Sequence, residues 1–183
     1  MTSAEQTAER VHAALANLAA GDGPAPRDGT LTLEVSRGSL HAVLERLKEQ
    51  AGFETITMVT CVDHLGGRRS EPRFEVVHQL LSIEHRDRVR VKTRVASDDA
   101  SVPTCTDLWP GASFMEREAY DMFGVTFEGH PNLARLLMPE EYGHHPLRKD
   151  FPHQGIEPDR LYKEWDRERR ARAAREQAGG SVR

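Results

Sequence analysis

The strictly alternating run at residues 88–95 most constrains how this chain can fold. Its valines would face one side of an extended strand and its basic residues the other. The apolar side holds Val89, Val91 and Val95, and the basic side holds Arg88, Arg90, Lys92 and Arg94. A four-residue link, 84–87, separates this run from a second β-rich run at 74–83. So short a link joins antiparallel neighbours, because a parallel pair needs a long crossover. The sequence therefore predicts a β-hairpin.

The segments before this hairpin predict an α+β fold. Residues 31–35 alternate as a short strand, and residues 55–62 are apolar or β-branched on both faces, as in a central strand. A helix is predicted to begin after Ser39 and to end at Gly52, with apolar residues at i, i+3, i+4 and i+7. We expect an antiparallel sheet of about four strands, covered by helices on one face, with an extended C-terminal arm.

Three regions are predicted along the chain. Residues 1–29 would form an N-terminal helix, with an apolar stripe over 5–20, and a linker rich in Gly and Pro. Residues 30–128 would form the α+β domain, and residues 129–183 an extended C-terminal interaction arm. Pro139, Pro146 and Pro152 exclude a long helix or a central strand around them. Its end, 159–177, is rich in Arg and Glu, which predicts either an exposed helix or an arm lying on another protein.

Composition narrows the classes of function. The chain has 183 residues, 38% of them hydrophobic, and a formal net charge of −4, which disfavours a dedicated nucleic-acid binder. No apolar run approaches the roughly 18–20 residues that cross a bilayer, and the N-terminus lacks the basic start and apolar block of a signal peptide. We therefore expect a cytosolic protein, or one held at a membrane through partners. Cys61 and Cys105 show no CxxC spacing, which favours two buried thiols.

The segment from Ser113 to Pro152 is the most punctuated and charged part of the chain. Ser113 and Glu116 are spaced as a capping box that would begin a helix, and Gly124 stands where a left-handed cap would end it. The helix carries four charges: Glu116, Arg117, Glu118 and Asp121. No nucleophile, oxyanion donor or phosphate loop accompanies them, so a structural ion-pair cluster is favoured over a general acid–base set.

Three motifs in this segment resemble the signature of one family. They are Glu116-Arg117-Glu118-x-Tyr120-Asp121-Met122-Phe123-Gly124, then Phe127-x-Gly129-His130-Pro131-x-Leu133, then Pro146-Leu147-Arg148-Lys149-Asp150-Phe151-Pro152. With their internal spacings intact, they look like the signature of the C subunit, also called the 30 kDa-type subunit, of proton-pumping NADH:quinone oxidoreductase, respiratory complex I. Residues 106–110, TDLWP, are also similar to what precedes the signature in that family.

The resemblance implies a non-redox structural subunit in the hydrophilic arm of a bacterial complex I, supporting electron transfer from NADH to quinone coupled to proton translocation. The complex would use FMN, iron–sulfur clusters, NADH and quinone, whereas this chain would hold no cofactor and would not be catalytic alone. Its partners would be the D, B and I subunits of complex I, with no nucleic acid. It would lie peripherally on the cytoplasmic side of the inner membrane, which it would reach only through those partners.

The resemblance assigns no catalytic, cofactor-binding or metal-binding residue. It implies a role by contact for the residues that match the signature. These candidate interface residues are Glu116, Arg117, Glu118, Tyr120, Asp121, Phe123, Gly124, Gly129, His130, Pro131, Arg135, Pro146, Leu147, Arg148, Lys149 and Asp150.

Other functions stay open. Related subunits occur in membrane-bound hydrogenases and other quinone-linked dehydrogenases, so the machine could differ while the fold stays the same. A stand-alone metal-dependent enzyme is a further alternative, because imidazoles and carboxylates of the kind that bind zinc or iron lie close together in the arm. The set is His130, His144, His145 and His153 with Glu140 and Glu141. It lacks an HExxH motif, so turn, surface or interface roles are favoured. The basic strand face could track phosphates, but it lacks aromatic residues for stacking, which favours a solvated or partner-facing surface.

Overall fold

The computed structural model describes residues 3–18, 20–24, 27–67, 70–153, 155 and 159–179. They divide into two compact units, Met1–Lys149 and Asp150–Arg183. The helices are α1 (Ser3–Ala14), α2 (Leu40–Glu49), α3 (Ala112–Phe123) and α4 (Asp159–Gly179). The strands are β1 (Ala20–Asp22), β2 (Leu31–Val35), β3 (Thr55–Asp63), β4 (Phe74–Ser82), β5 (Asp87–Val95), β6 (Ser101–Pro103) and β7 (Thr126–Glu128). The first unit is thus an α+β fold, which confirms the predicted class.

The main sheet has five strands in the order β1-β2-β5-β4-β3. Its β5–β4 and β4–β3 pairs are antiparallel, as predicted, and β1–β2 is antiparallel too. In contrast, β2 and β5 are parallel, with Leu31 opposite Val89. The sheet is therefore mixed and has one strand more than predicted. The parallel pair arises because α2, β3 and β4 together form the crossover between β2 and β5. The additional strand, β1, overlaps the predicted linker.

β3 lies at the edge of the sheet, so the prediction of a central strand for residues 55–62 is wrong. Val59 and Cys61 are buried on its core face. Met58 and Val62 are partly exposed on the opposite face. Apolar residues on both faces suggested a strand covered on both sides, whereas here one face packs into the core and the other stays partly open.

The core lies between the sheet and its helices, and α1 contributes to it. Val11 on α1 is fully buried in the same cluster as Leu44 of α2 and Val91 of β5. The helix ends at Ala14, earlier than the stripe over 5–20 predicted. The first unit includes β1, which pairs with β2, and residues 129–149. The three regions drawn from the sequence stay a prediction.

The alternation predicted for residues 88–95 is present in β5. Its valines are buried, and its basic side chains reach the other face of the sheet. There Arg90 lies 2.7 Å from Asp28 and Lys92 lies 2.9 Å from Glu75. Arg94 donates to the Pro72 carbonyl at 3.1 Å. Much of this basic charge is therefore matched by groups of the chain itself.

The predicted exposed helix at the end of the chain is α4. On the described part of it, Asp166 pairs with Arg169 at 3.2 Å and with Arg170 at 2.8 Å. The side chains of Leu161 and Tyr162, which gave this segment its apolar edge in the sequence, lie outside the described ones. None of the helices in the described residues is long and apolar enough to cross a membrane.

A histidine is buried in the core at the centre of β4. His78 is fully buried opposite Val91, and neither of its ring nitrogens has a hydrogen-bond partner among the described residues. Burial lowers the pKa of His78 to about 4, because the charged imidazolium would be far from water. Sequence reasoning missed this residue, since it occupies an ordinary position in a β-rich run.

We expect His78 to make the fold sensitive to mild acid. An unfolded histidine binds its proton near pH 6.5, so between about pH 6.5 and 4 the unfolded state holds more protons than the fold. The free energy of unfolding should therefore fall by about 2–3 kcal/mol between pH 7.5 and 4.5. His78→Leu should remove this contribution in urea titrations at both pH values. The pKa of His145 is also lowered by burial, so the pH dependence that remains in the variant should include the contribution of His145. An unchanged pH slope in His78→Leu would contradict this assignment.

Candidate functional site

The signature helix α3 does not begin with the predicted capping box. Its N-cap is Gly111, with no side-chain hydrogen bond. Ser113 Oγ instead lies 3.1 Å from His130 Nε2, and Glu116 turns into the core. The prediction is wrong because the buried end of the helix offers Glu116 better donors than its own first turn does. At the other end, Gly124 has φ of 73° in the left-handed region, which confirms the predicted cap.

Glu116 fastens α3 to the segment that follows β6. Its fully buried carboxylate accepts hydrogen bonds from Thr104 Oγ1 at 2.6 Å and from the Cys105 backbone N–H at 2.8 Å. The Cys105 thiol lies 3.1 Å from the same carboxylate. Both cysteines are buried and unbridged, as predicted. Burial raises the pKa of Cys61 to about 12, and burial followed by the Glu116 charge raises the pKa of Cys105 as well. Neither thiol is therefore a ready nucleophile.

Asp121 organises the loop at residues 135–138. Its carboxylate is fully buried and lies 2.6 Å from Arg135 Nη1. Its Oδ2 atom accepts the backbone N–H groups of Leu136, Leu137 and Met138 at 3.0, 2.7 and 2.9 Å. Burial raises the pKa of this carboxyl, but the bonds from Met138 and Leu137 and from Arg135 outweigh burial and hold the pKa below its ordinary value. Asp121 is therefore an internal anion that fixes the loop.

The four charges of α3 do not form the predicted ion-pair cluster. Glu116 and Asp121 point to different partners, and Glu118 is exposed. Arg117 donates through Nε and Nη2 to the carbonyl oxygens of Ala134 and Arg135, at 2.9 and 3.0 Å. The helix spacing showed which charges are close in sequence, but the surrounding loops supply the actual partners.

Residues 147 and 148 of the third motif pack against the C-terminal end of α3. Arg148 Nε donates to the Phe123 carbonyl at 2.6 Å, and its guanidinium lies 5.2 Å from the ring centroid of the buried Phe74. The Leu147 N–H donates to the Met122 carbonyl at 3.1 Å. A β-carbon at Gly124 would collide with the Arg148 side chain, so only glycine fits this position.

A buried ion pair at the end of the β3–β4 hairpin holds the same motif. Asp63 accepts two hydrogen bonds from Arg73, at 2.8 and 3.0 Å, and one from the Lys149 N–H at 2.8 Å. Burial raises the pKa of Asp63, but the bonds from Arg73 and Lys149 hold it well below its ordinary value. Sequence reasoning missed Asp63 and Arg73; the only signal was an acid and a base at the facing ends of two predicted strands.

The other predicted site residues lie around these contacts. His130 forms the predicted turn, with its Nδ1 accepting the Asn132 N–H at 3.0 Å, and Gly129 has φ of 84°. The Tyr120 ring meets the His145 ring edge-on, with centroids 6.4 Å apart. Pro131, Leu147 and the Lys149 side chain are exposed, Phe123 and Pro146 are partly buried, and Asp150 belongs to the second unit.

The histidine-rich set does not come together as a metal site in the described residues. No group of three or more His, Cys, Asp or Glu side chains there is placed to hold a metal ion. His144 stacks edge-on against Tyr142, and His145 Nδ1 lies 2.9 Å from the Asp121 carbonyl. These contacts and those of His130 are structural.

A cleft of about 980 Å³ lies away from the signature residues, none of which lines it. Leu31, Leu81 and Ile83 form much of its apolar wall. Of the carboxylates at its rim, Asp87 pairs with Arg10 and Asp28 pairs with Arg90. These two acidic groups of the cleft are thus engaged within the chain.

Arg148→Ala should destabilise the fold, whereas Lys149→Ala should not. The resemblance implied an interface role for both residues, but Arg148 also caps α3 and covers Phe74. We expect Arg148→Ala to lower the free energy of unfolding by about 1–3 kcal/mol, through the unpaired Phe123 carbonyl and lost packing. The backbone N–H of Lys149 bonds to the buried Asp63, whereas its Nζ makes only a long, exposed contact of 3.4 Å with the Leu65 carbonyl, so its alanine variant should stay within about 0.5 kcal/mol of the wild type. Urea titrations check both values, and equal effects would contradict this division of roles.

Comparisons with known proteins show the family of this chain. Residues 33–157 match the family model described as respiratory-chain NADH dehydrogenase, 30 Kd subunit. The C subunit of the NADH-quinone oxidoreductase of Citrifermentans bemidjiense is 46% identical over 132 residues, covering 72% of this chain and 79% of that one. The C/D subunit numbered 2 of the same enzyme in Aquifex aeolicus is 49% identical over 127 residues, covering 69% of this chain and 21% of that one.

Among the solved structures, a chain of a respiratory complex is similar in both fold and sequence. The complex is the membrane-bound sulfane sulfur reductase, an archaeal respiratory membrane complex, one chain of which matches with a TM-score of 0.69 at 29% identity. The match covers 83% of this chain and 87% of that one. The family model and the Citrifermentans bemidjiense relative each span more than two thirds of the present sequence. The chain belongs to the family of the 30 kDa subunit of respiratory-chain NADH dehydrogenase.

Proposed function

We propose that this chain is a structural subunit in the hydrophilic arm of a bacterial NADH:quinone oxidoreductase. In that role it supports electron transfer from NADH to quinone, coupled to proton translocation, and it is not catalytic alone. The observation that carries this proposal is that the buried carboxylates bind groups of the chain itself. Those of Glu116, Asp121 and Asp63 each bind several donors of the same chain and hold loops in place. Such groups position a surface for partners.

We also propose which cofactors, partner subunits and membrane face surround the chain in the complex. FMN, the iron–sulfur clusters, NADH and quinone would be bound by other subunits of the complex. The partners would be the D, B and I subunits, and the chain would lie peripherally on the cytoplasmic side of the inner membrane, held there by these partners. The D subunit is favoured among them because the Aquifex aeolicus relative is named as a joint C/D subunit.

A second candidate keeps the fold and changes the machine. The structural similarity to a chain of the sulfane sulfur reductase favours membership of another respiratory membrane complex. The higher identity to subunits named for NADH-quinone oxidoreductase, 46% against 29%, favours the first candidate.

Affinity purification of the tagged full chain from its native membrane separates the two. We expect the D subunit and an NADH-binding flavoprotein to co-purify, with NADH:quinone reductase activity in the eluate. The chain expressed alone should be colourless above about 350 nm, where flavin and iron–sulfur bands begin. Co-purification with a hydrogenase or a sulfur reductase would favour the second candidate. A chain that elutes without partners, or with bound iron or flavin, would contradict both.

A further inference from the structure

Three large apolar side chains of the segment 113–152 are exposed to solvent, and one of them, Leu147 of the third motif, is 54% exposed. Phe114 on α3 and Leu137 on the loop at 135–138 are each 63% exposed. Single exposed apolar residues are common on protein surfaces and need no explanation. Phe114 and Leu137 differ from such isolated residues because charged residues of α3 connect the helix that carries Phe114 to the loop that carries Leu137.

The same face of α3 carries Phe114 and binds the loop that carries Leu137. Phe114, Arg117 and Asp121 are spaced i, i+3 and i+7, so they share a face of the helix. Asp121 accepts the Leu137 N–H at 2.7 Å, which fixes the loop at one end of this face. Phe114 lies at the other end, about 10 Å away at a rise of 1.5 Å per residue. The two apolar groups are therefore presented by a rigid support.

Arg117 lies between them and brings a positive charge to the same face. Its guanidinium is 6.0 Å from the centroid of the Phe114 ring and donates to the carbonyl oxygens of Ala134 and Arg135. It forms no ion pair with a carboxylate of the described residues. A partner that placed a carboxylate there, between two apolar contacts, would match this surface in charge as well as in shape.

We propose that Phe114, Arg117 and Leu137 form a docking patch for the D subunit, which would cover it with an apolar surface bearing a carboxylate opposite Arg117. This inference rests on the proposed function and names the surface that serves it. The D subunit is the occupant that we favour because a relative carries the names C and D for one polypeptide, and parts joined in one chain are held close together. The Asp121 bonds hold the loop before binding, so little conformational entropy is lost on docking.

The test measures binding of the D subunit from the same organism to the full chain. Phe114→Ala with Leu137→Ala should weaken Kd at least about 30-fold, as expected for a pair of central apolar anchors. Ile83→Ala is the matched control, because Ile83 is 67% exposed on the β4–β5 hairpin and outside the patch. It should leave Kd unchanged. All variants should keep their melting temperatures within a few degrees, since the altered side chains are at the surface.

A photo-crosslinking residue, benzoylphenylalanine, identifies the occupant directly. Placed at position 114 or 137 of the tagged chain in its native complex, it should crosslink to the D subunit. Crosslinks to a different subunit or to a second copy of this chain would overturn the docking patch, as would normal Kd in the double variant. In these cases the complex still forms and the proposed function stands. Failure of the wild-type chain to bind any component of the complex would overturn the proposed function itself.

Discussion

Val91→Asp should unfold the first unit or nearly so. Val91 is fully buried on β5, between β2 and β4, and faces the helices. Asp is close to Val in size, so the change introduces a charge more than a cavity. Its burial without a partner costs several kcal/mol even if the group is protonated. That loss is comparable to the whole stability of a typical domain, about 5–15 kcal/mol.

Arg90→Ala is the control on the opposite face of the same strand. Arg90 pairs with Asp28, whose carboxylate is about half exposed, so the pair contributes little to stability. Far-ultraviolet circular dichroism with urea titration compares the two variants. We expect a lost or greatly shortened folded baseline for Val91→Asp and a nearly unchanged transition for Arg90→Ala. Equal tolerance of both changes would mean that β5 does not present these faces as described.

The elements that follow from a local pattern could be predicted from the sequence. The alternation of β5 and the glycine at the end of α3 each depend on a few neighbouring residues, and both are confirmed. The parallel pairing of β2 with β5 could not be predicted, because it joins strands separated by the whole β3–β4 segment. The edge position of β3 has the same origin. Its composition is that of a covered strand, while its place in the sheet depends on distant pairings.

The candidate site was found by its motifs, but the roles of its charges were not. Glu116 and Ser113 have the spacing of a capping box, yet Glu116 binds Thr104 and Cys105, which precede the helix. Sequence spacing measures distance along one helix and carries no information on what folds against it. Asp63 shows the same limit, since its bond to Lys149 joins residues far apart in the chain.

Asp121→Ala should cost about 3–5 kcal/mol of unfolding free energy, the range for removing one partner of a buried ion pair. The change leaves the Arg135 charge without its carboxylate and the N–H groups of Leu136, Leu137 and Met138 without their acceptor. Each orphaned buried donor adds a desolvation cost. Asp121→Asn is the graded control: it keeps the shape and one acceptor oxygen, so we expect a smaller loss, about 1–3 kcal/mol.

The pH dependence of these variants tests the charge itself. The pKa of Asp121 is lower in the fold than in the unfolded chain, so its stabilisation is present above the unfolded value, near 3.9, and is lost as the pH falls through the folded value. Wild type and Asp121→Asn should therefore converge in stability under strong acid. Hydrogen exchange gives the local view: the amides of residues 136–138 should lose protection in Asp121→Ala before those of β4 do. Unchanged protection of the three amides would show that something other than Asp121 holds the loop, and the rigid support of Leu137 would then need another source.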